Sequence, residues 1–186
     1  MAVGVIIARL QPIHKGHLEL VRQALNENDE VLILVGSADK LNKRNPIPIA
    51  MRLDLARKAV GEEFGENAEK VKIMPLNDLT DESDNSHDWG FYLYSRIVTE
   101  CKNPCFTIYY SDGFEIITTW FPSFILRNNV SLCLLARGAT VDGISATKVR
   151  RLIEEDSNAL DVYVPKCVLD RRETIKKHIE LSKLIK

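Results

Sequence analysis

The segment VGVIIARLQPIHKGHLEL, residues 3–20, joins an apolar run, a short turn and the start of an amphipathic stretch. Its first six residues are apolar or small without alternation, which is typical of a strand covered on both faces of a parallel sheet. Pro12 stops this strand because it has no backbone N–H, and Gly16 begins a helix with His17 in its first turn. The segment therefore predicts a strand followed by a helix, the repeating unit of α/β proteins.

The same alternation of apolar runs and helical periodicity continues along the chain. After residues 3–8, the predicted strands are 31–36, 71–75, 105–110 and 130–136, and the predicted helices are 17–28, 49–64, 89–101 and about 145–155. In the helix at 89–101, the spacing predicts an apolar face of Phe91, Tyr94 and either Ile97 or Val98. The pattern indicates an α/β fold: a doubly wound, Rossmann-like five-stranded parallel sheet with helices on both faces.

The last segment predicts a charged helix with a narrow apolar stripe of Ile175, Ile179 and Leu184. The length of the chain fits one domain over residues 1–186, with a C-terminal helical extension at about 168–186. We expect this last helix to be a candidate surface for homo-oligomer assembly.

The composition excludes several classes of protein. The 186 residues are 45% hydrophobic and 27% charged, with a net charge of −1. No apolar run reaches the roughly 18 residues that span a bilayer. A net charge near zero argues against binding to a nucleic-acid backbone. The first residues resemble a strand rather than a secretory signal, and the four cysteines form no CxxC pair. We expect a cytoplasmic protein with reduced cysteines that binds neither nucleic acid nor membrane.

Two predicted helix starts carry residues that suit an anion. His14, Gly16 and His17 surround the first, where free backbone N–H groups and the helix dipole attract phosphate. The second, GISATKVRRLIEE at 143–155, has Ser145 as its N-cap and brings Thr147 and Arg150 into its first turns. Taken alone, the two histidines also fit a metal site or a capped turn, and the second segment also fits an ordinary capped helix. Both starts follow predicted strands, so they suit a polyphosphate that bridges two places.

The two segments match known signatures. HKGH resembles the HxGH motif and ISATKVR the ISxTxxR motif of the nucleotidylyltransferase superfamily. ARLQPIHKGHLEL, followed by VLILVGSADK and NPIPIAMRL, is most similar to archaeal-type nicotinamide mononucleotide adenylyltransferases. The resemblance runs from about Val3 to Pro165. It implies transfer of AMP from ATP to nicotinamide mononucleotide, giving NAD and pyrophosphate, with Mg²⁺ carried by the ATP and no metal ligands from the protein.

The resemblance also implies roles for individual residues. The implied catalytic residues are His14, His17 and Arg150, the ATP phosphate-binding residues are Arg9, Gly16, Lys40, Ser145 and Thr147, and the acceptor-binding residues are Arg52 and Trp89. Without the resemblance, Trp89 is equally a buried tryptophan at a helix entry, and Arg52 a solvated helix residue facing Glu62 or Glu63. The polar segment 77–89 follows the third strand, where ligands of open α/β sheets bind, so it is predicted to cover the acceptor.

Some positions depart from the family pattern. Ala8 and Leu10 replace a glycine and a phenylalanine, and YYSDGFEI stands where the family has a serine followed by asparagines. The last departure leaves nicotinate mononucleotide, phosphopantetheine, FMN and alcohol phosphates open as acceptors. Two further classes remain: a nucleotide sensor that has lost turnover, and a flavodoxin-like binding module, which would need neither motif.

Overall fold

The computed structural model describes residues 1–80, 86–111, 114–135 and 143–185. The strands are β1 (Val3–Ala8), β2 (Glu30–Val35), β3 (Val71–Pro75), β4 (Phe106–Tyr110) and β5 (Val130–Leu134). The helices are α1 (Lys15–Glu27), α2 (Ile49–Phe64), α3 (His87–Cys101), α4 (Phe114–Trp120), α5 (Ser123–Asn128), α6 (Ala146–Glu154), α7 (Leu160–Tyr163), α8 (Lys166–Leu169) and α9 (Arg172–Lys183). A 3₁₀ helix, Gly65–Lys70, joins α2 to β3.

The strands form one parallel sheet in the order β3-β2-β1-β4-β5. The chain winds outward from β1 to β3 and then returns to the other side of β1 with β4 and β5. The order therefore reverses between β1 and β4, and such a switch point opens a crevice at the carboxyl ends of the strands. This topology confirms the predicted doubly wound sheet.

The strands are apolar without alternation because both faces of the sheet are covered. In β2, Ile33 and Val35 belong to a first core, which also contains residues of α1, α2, α6 and α9. Leu32 and Leu34 belong to a second core on the other face, with residues of α3, α4 and α5. Successive side chains of a strand point to opposite faces, so each face requires apolar residues at every second position.

Two parts of the second core differ from the sequence prediction. Ile97 is buried as predicted, but Phe91 is exposed and Tyr94 half-buried, and the other members of the buried stripe of α3 are Trp89 and Leu93. Trp89, Leu93 and Ile97 lie on one face because they are four apart, and the helix begins at His87, two residues before the predicted start. The connection between β4 and β5 contains the short helices α4 and α5, which the apolar pattern did not indicate.

The C-terminal helix packs against α6. Ile175 and Ile179 are buried in the first core, whereas Leu184 is 77% exposed, so its predicted place in the stripe is wrong. Leu184 is the C-cap residue that follows α9. Arg172 Nη2 lies 3.3 Å from Asp156 Oδ1, which ties α9 to the end of α6. α9 thus supports the helix whose other end carries Ser145.

The state of the cysteines and the lengths of the helices can also be compared with the sequence expectations. The four cysteines are free, with Cys101 and Cys167 buried, Cys133 half-buried and Cys105 exposed. Every helix among the described residues is too short or too polar to cross a bilayer.

Candidate active site

The first helix start holds two stacked imidazoles. His14 is the extended N-cap of α1, and His17 is the third residue of the helix. Their ring centroids are 3.6 Å apart with an interplanar angle of 24°. The backbone N–H of His14 donates to Nδ1 of His17 at 3.2 Å, which fixes the orientation of the second ring.

This hydrogen bond also determines which ring nitrogen of His17 carries the proton. Burial, and then the neighbouring His14, lower the pKa of His17 well below 6.5, so the ring is neutral at pH 7. Because Nδ1 accepts a hydrogen bond, the proton of the neutral ring lies on Nε2. His17 therefore presents an N–H donor without bringing a positive charge of its own.

The second helix start is capped as predicted. Ser145 is the extended N-cap of α6, and its Oγ accepts from the backbone N–H of Lys148 at 3.2 Å. Lys148 Nζ lies 4.3 Å from the centroid of the Tyr163 ring, a cation–π distance. Ser145 thus organises the start of the helix, while the ammonium of Lys148 contacts Tyr163.

The two helix starts lie against each other. A Cβ built on Gly16 would lie 3.0 Å from Ile144 Cγ2 and 3.2 Å from His14 Nδ1. These distances are tighter than nearly all real Cβ contacts, so a side chain at this position would push apart the segments before α1 and α6. The absence of a side chain at position 16 therefore allows this close packing.

Arg150 joins the two segments directly. Its Nη1 donates to the backbone oxygen of Gln11 at 2.9 Å, and its Nη2 lies 3.4 Å from Thr147 Oγ1. Burial, and then the charge of Arg9, lower the pKa of Arg150. The guanidinium stays cationic because the pKa of an arginine lies far above neutral pH, so Arg150 adds a permanent positive charge where the segment after β1 meets the start of α6.

The end of β2 contributes the other predicted phosphate-binding residue. Lys40 Nζ lies 3.2 Å from Asp39 Oδ2, and the side chain is largely buried. Asp39 Oδ1 in turn accepts from the backbone N–H of Asp78, which follows β3. Lys40 therefore lies among residues that link the ends of β2 and β3.

Arg52 is fully buried and bonded to backbone. Its Nη1 donates to the oxygens of Arg9 at 2.8 Å and Gly36 at 2.7 Å, and its Nη2 donates to the oxygen of Ser37 at 2.9 Å. Burial lowers the pKa of Arg52 to about 10, although the charge of Asp78 opposes the shift. The alternative of a solvated arginine is wrong, because Arg52 is 0% exposed and its guanidinium bonds to backbone oxygens. Its implied acceptor contact stays a prediction.

Trp89 is also buried, at 8% exposure. Its ring lies edge-on to Trp120 at 6.1 Å and is tilted against Tyr92 at 5.6 Å. Its backbone N–H lies 3.4 Å from Ser86 Oγ, the N-cap of α3. The indole N–H has no hydrogen-bond partner within the described ranges. This is the position of a helix-entry tryptophan, and its implied stacking on a base stays a prediction.

Comparisons with known proteins fit this geometry. A model of the cytidylyltransferase-like family matches residues 5–152, from the middle of β1 to the end region of α6. The protein belongs to this family. The match spans both helix starts, so the resemblance of HKGH and ISATKVR to nucleotidylyltransferase motifs is confirmed.

Individual relatives of this cytidylyltransferase-like protein share about a quarter to a third of its residues over the matched regions. It is 33% identical over 113 residues to a nicotinamide-nucleotide adenylyltransferase of Ignicoccus hospitalis, covering 59% of this chain and 64% of that protein. It is 26% identical over 171 residues to the enzyme of that name from Pyrococcus furiosus, covering 91% and 82%.

A solved structure shares the fold. It is a bifunctional NMN adenylyltransferase/ADP ribose pyrophosphatase from Francisella tularensis, complexed with AMP and a manganese ion. The TM-score is 0.69 at 20% identity, and the match covers 98% of this chain but 52% of that protein. The chain thus spans about half the length of this structural relative and about two thirds of the Ignicoccus protein.

Two residues near the site, Gln11 and Asp78, were not predicted from the sequence. Gln11 is 2% exposed, and its side chain exchanges hydrogen bonds with the backbone of Ile47. Asp78 accepts from Ser37 Oγ at 3.1 Å and lies near the guanidinium groups of Arg9 and Arg52. A polar residue such as Gln11 between apolar neighbours was a signal, but its partner is 36 residues away.

Part of the predicted acceptor pocket lies outside the described residues. These residues are 81–85 of the segment 77–89 and 112–113 of YYSDGFEI. Among the residues that are described, no group of three or more His, Cys, Asp or Glu side chains could hold a metal ion. The donors around the site are mainly cations and N–H groups, which suit phosphate oxygens rather than a metal.

Proposed function

We propose that this protein transfers AMP from ATP to nicotinamide mononucleotide, giving NAD and pyrophosphate. The observation that carries the proposal is that the starts of α1 and α6 lie against each other, the first holding His17 and the second tied by Arg150 to Gln11. The curated relatives with matching sequences support nicotinamide mononucleotide as the acceptor. The helix starts of α1 and α6 offer backbone N–H groups to the phosphates, as helix N-termini do generally.

The reaction is an in-line displacement. A phosphate oxygen of the acceptor attacks the α-phosphorus of ATP, the new P–O bond forms, and the bond from the α-phosphorus to the bridging oxygen breaks. The electron pair of that bond leaves with pyrophosphate. A phosphate acceptor is already anionic at pH 7, so the reaction needs no general base. The task of the protein is positioning and the stabilisation of charge in the transition state.

The neutral His17 suits that task. Its Nε2–H donates to an oxygen of the transferring phosphoryl group, while its Nδ1 stays locked to the backbone N–H of His14. Arg150, held by Gln11 and next to Thr147, supplies a permanent positive charge for the β- and γ-phosphates and for the departing pyrophosphate. Arg9 and Lys40 add charge from the ends of β1 and β2.

Mg²⁺ enters as part of the substrate MgATP. Bound to the phosphates, it would neutralise charge on the leaving pyrophosphate. We also propose that residues 1–186 form one nucleotidylyltransferase domain, in which α9 supports α6. Measurement of the molecular mass in solution tests whether the protein forms a homo-oligomer.

A panel of acceptors tests the proposal. The full chain is incubated with MgATP and, separately, nicotinamide mononucleotide, nicotinate mononucleotide, phosphopantetheine and FMN, while pyrophosphate release and product mass are followed. We expect fastest release with nicotinamide mononucleotide and the mass of NAD as product. Release only with phosphopantetheine or FMN would reassign the acceptor. ATP binding without release with any acceptor would identify a nucleotide sensor.

A further inference from the structure

The turn that follows β1 contains a strained residue. Leu10 is 2% exposed and has a φ angle of 48°, in the left-handed region that side chains other than glycine rarely adopt. A leucine keeps this conformation only where the surrounding structure holds it there. The contacts made by the neighbouring residues, Arg9 and Gln11, must therefore fix this turn.

Two arginines from different helices bind the carbonyl groups on either side of Leu10. The backbone oxygen of Arg9 accepts from Arg52 Nη1 at 2.8 Å, and that of Gln11 accepts from Arg150 Nη1 at 2.9 Å. Arg52 belongs to α2 and Arg150 to α6. The direction of the Gln11 carbonyl thus determines where one nitrogen of the Arg150 guanidinium lies.

The side chain of Gln11 fixes the residue that carries this carbonyl. Its Oε1 accepts from the backbone N–H of Ile47 at 2.9 Å, and its Nε2 donates to the oxygen of Ile47 at 3.3 Å. Gln11 is 2% exposed and Ile47 0%, so water competes little for these bonds. Because its side chain and its carbonyl are both bonded, Gln11 has little freedom to rotate.

We propose that Gln11 is a positioning residue for adenylyl transfer: its amide, bonded to Ile47, holds the carbonyl that orients Arg150 toward the pyrophosphate. This inference rests on the proposed function, in which Arg150 binds the β- and γ-phosphates. Gln11 bonds Nη1 of the guanidinium, and Thr147 Oγ1 lies 3.4 Å from Nη2. A guanidinium has five N–H donors, so others remain for phosphate oxygens. A side chain that is already held loses less freedom when it binds its ligand.

Gln11→Met tests the assignment, because methionine has a similar length but neither donates to nor accepts strongly from Ile47. We expect kcat/KM for MgATP to fall about tenfold or more, since Arg150 is no longer held in the orientation that suits the phosphates. The KM for nicotinamide mononucleotide at saturating MgATP should stay within about twofold of the wild type. A role in general stability alone would not separate the two substrates in this way.

Tyr109→Phe is the matched control for the loss of buried hydrogen bonds. Tyr109 is 2% exposed, and its hydroxyl donates to Glu27 at 2.6 Å and accepts from Asn28 Nδ2 at 2.7 Å. These partners lie at the end of α1 opposite His17. Both variants should unfold at a lower urea concentration than the wild type, but Tyr109→Phe should keep the wild-type kcat/KM for both substrates.

A double-mutant cycle tests whether Gln11 acts through Arg150. In an Arg150→Gln background, adding Gln11→Met should change kcat/KM for MgATP by less than about twofold, because the group that Gln11 positions is already gone. Calorimetric titration of magnesium pyrophosphate gives a second readout. Gln11→Met should weaken pyrophosphate binding about tenfold in the wild-type background and hardly at all in the Arg150→Gln background.

Two outcomes would overturn the inference: losses that multiply in the double variant, or a loss in Gln11→Met that falls equally on both substrates. Should Gln11→Met not fold, Gln11→Glu takes its place in the same cycle, since it keeps an acceptor for the Ile47 N–H but no donor for the oxygen. Failure of the proposed function is distinguishable, because the wild type would then release no pyrophosphate with nicotinamide mononucleotide. The pyrophosphate titration would still measure the coupling between Gln11 and Arg150.

Discussion

Replacing Arg52 by methionine removes a buried clamp between two strand ends. The guanidinium bonds three backbone oxygens, those of Arg9, Gly36 and Ser37, at 2.7 to 2.9 Å. Methionine fills part of the volume but donates no hydrogen bond. The three carbonyl groups therefore lose their donor, and those of Gly36 and Ser37 belong to buried residues.

The size of the effect follows from those three bonds. Each buried carbonyl left without a partner costs about 1–3 kcal/mol. Relief from burying the guanidinium offsets part of this sum, so we expect Arg52→Met to lower the free energy of unfolding by about 3–5 kcal/mol. A protein of this kind has about 5–15 kcal/mol in total. For a chain of this size the corresponding fall in Tm is about 6–20 °C.

Urea unfolding followed by circular dichroism measures the change, with Arg57→Met as the control. Arg57 lies on the same helix but is exposed, so the control should change stability by no more than about 0.5 kcal/mol. A loss below about 1 kcal/mol in Arg52→Met would contradict the clamp. Equal losses in both variants would show that helix propensity, not the three bonds, dominates.

Three further predictions concern the site and the second core. His17→Ala should cut turnover roughly 10²-fold while the fold is kept, as loss of an oxyanion donor does, and undiminished pyrophosphate release would remove His17 from the mechanism. The folded-state pKa of His17 lies below its unfolded value near 6.5, so below about pH 6.5 the unfolded chain binds more protons and the free energy of unfolding should decrease as pH falls toward the folded pKa. The difference in free energy of unfolding between wild type and His17→Gln should therefore become smaller over this pH range. A difference that stays constant in urea unfolding at several pH values would contradict this. A Cβ on Gly90 would lie 1.7 Å from the oxygen of Trp120, whereas one on Gly61 would meet nothing within 4 Å. Gly90→Ala should therefore lower the free energy of unfolding by about 1–3 kcal/mol or more, while Gly61→Ala should raise it by about 0.5–1 kcal/mol. Similar melting temperatures for the two variants would refute the packing argument.

The sequence alone determined the sheet and the two helix starts. Strands covered on both faces must be apolar throughout, and a helix start depends on neighbours in the chain, as the cap of Ser145 onto Lys148 illustrates. The stacked histidines are likewise three residues apart. Each of these features is local, so a short window of sequence contains the interaction that forms it.

The tertiary structure decided what the remaining polar and aromatic residues do. Arg52 is an ordinary helix residue by pattern, yet its partners are 15 to 43 residues away. Gln11 reaches Ile47 across 36 residues, and Trp89 contacts Trp120 in a helix that the pattern did not indicate. Burial and hydrogen-bond partners of such residues depend on which strand ends the sheet brings together. That order is a property of the folded chain, and no single segment encodes it.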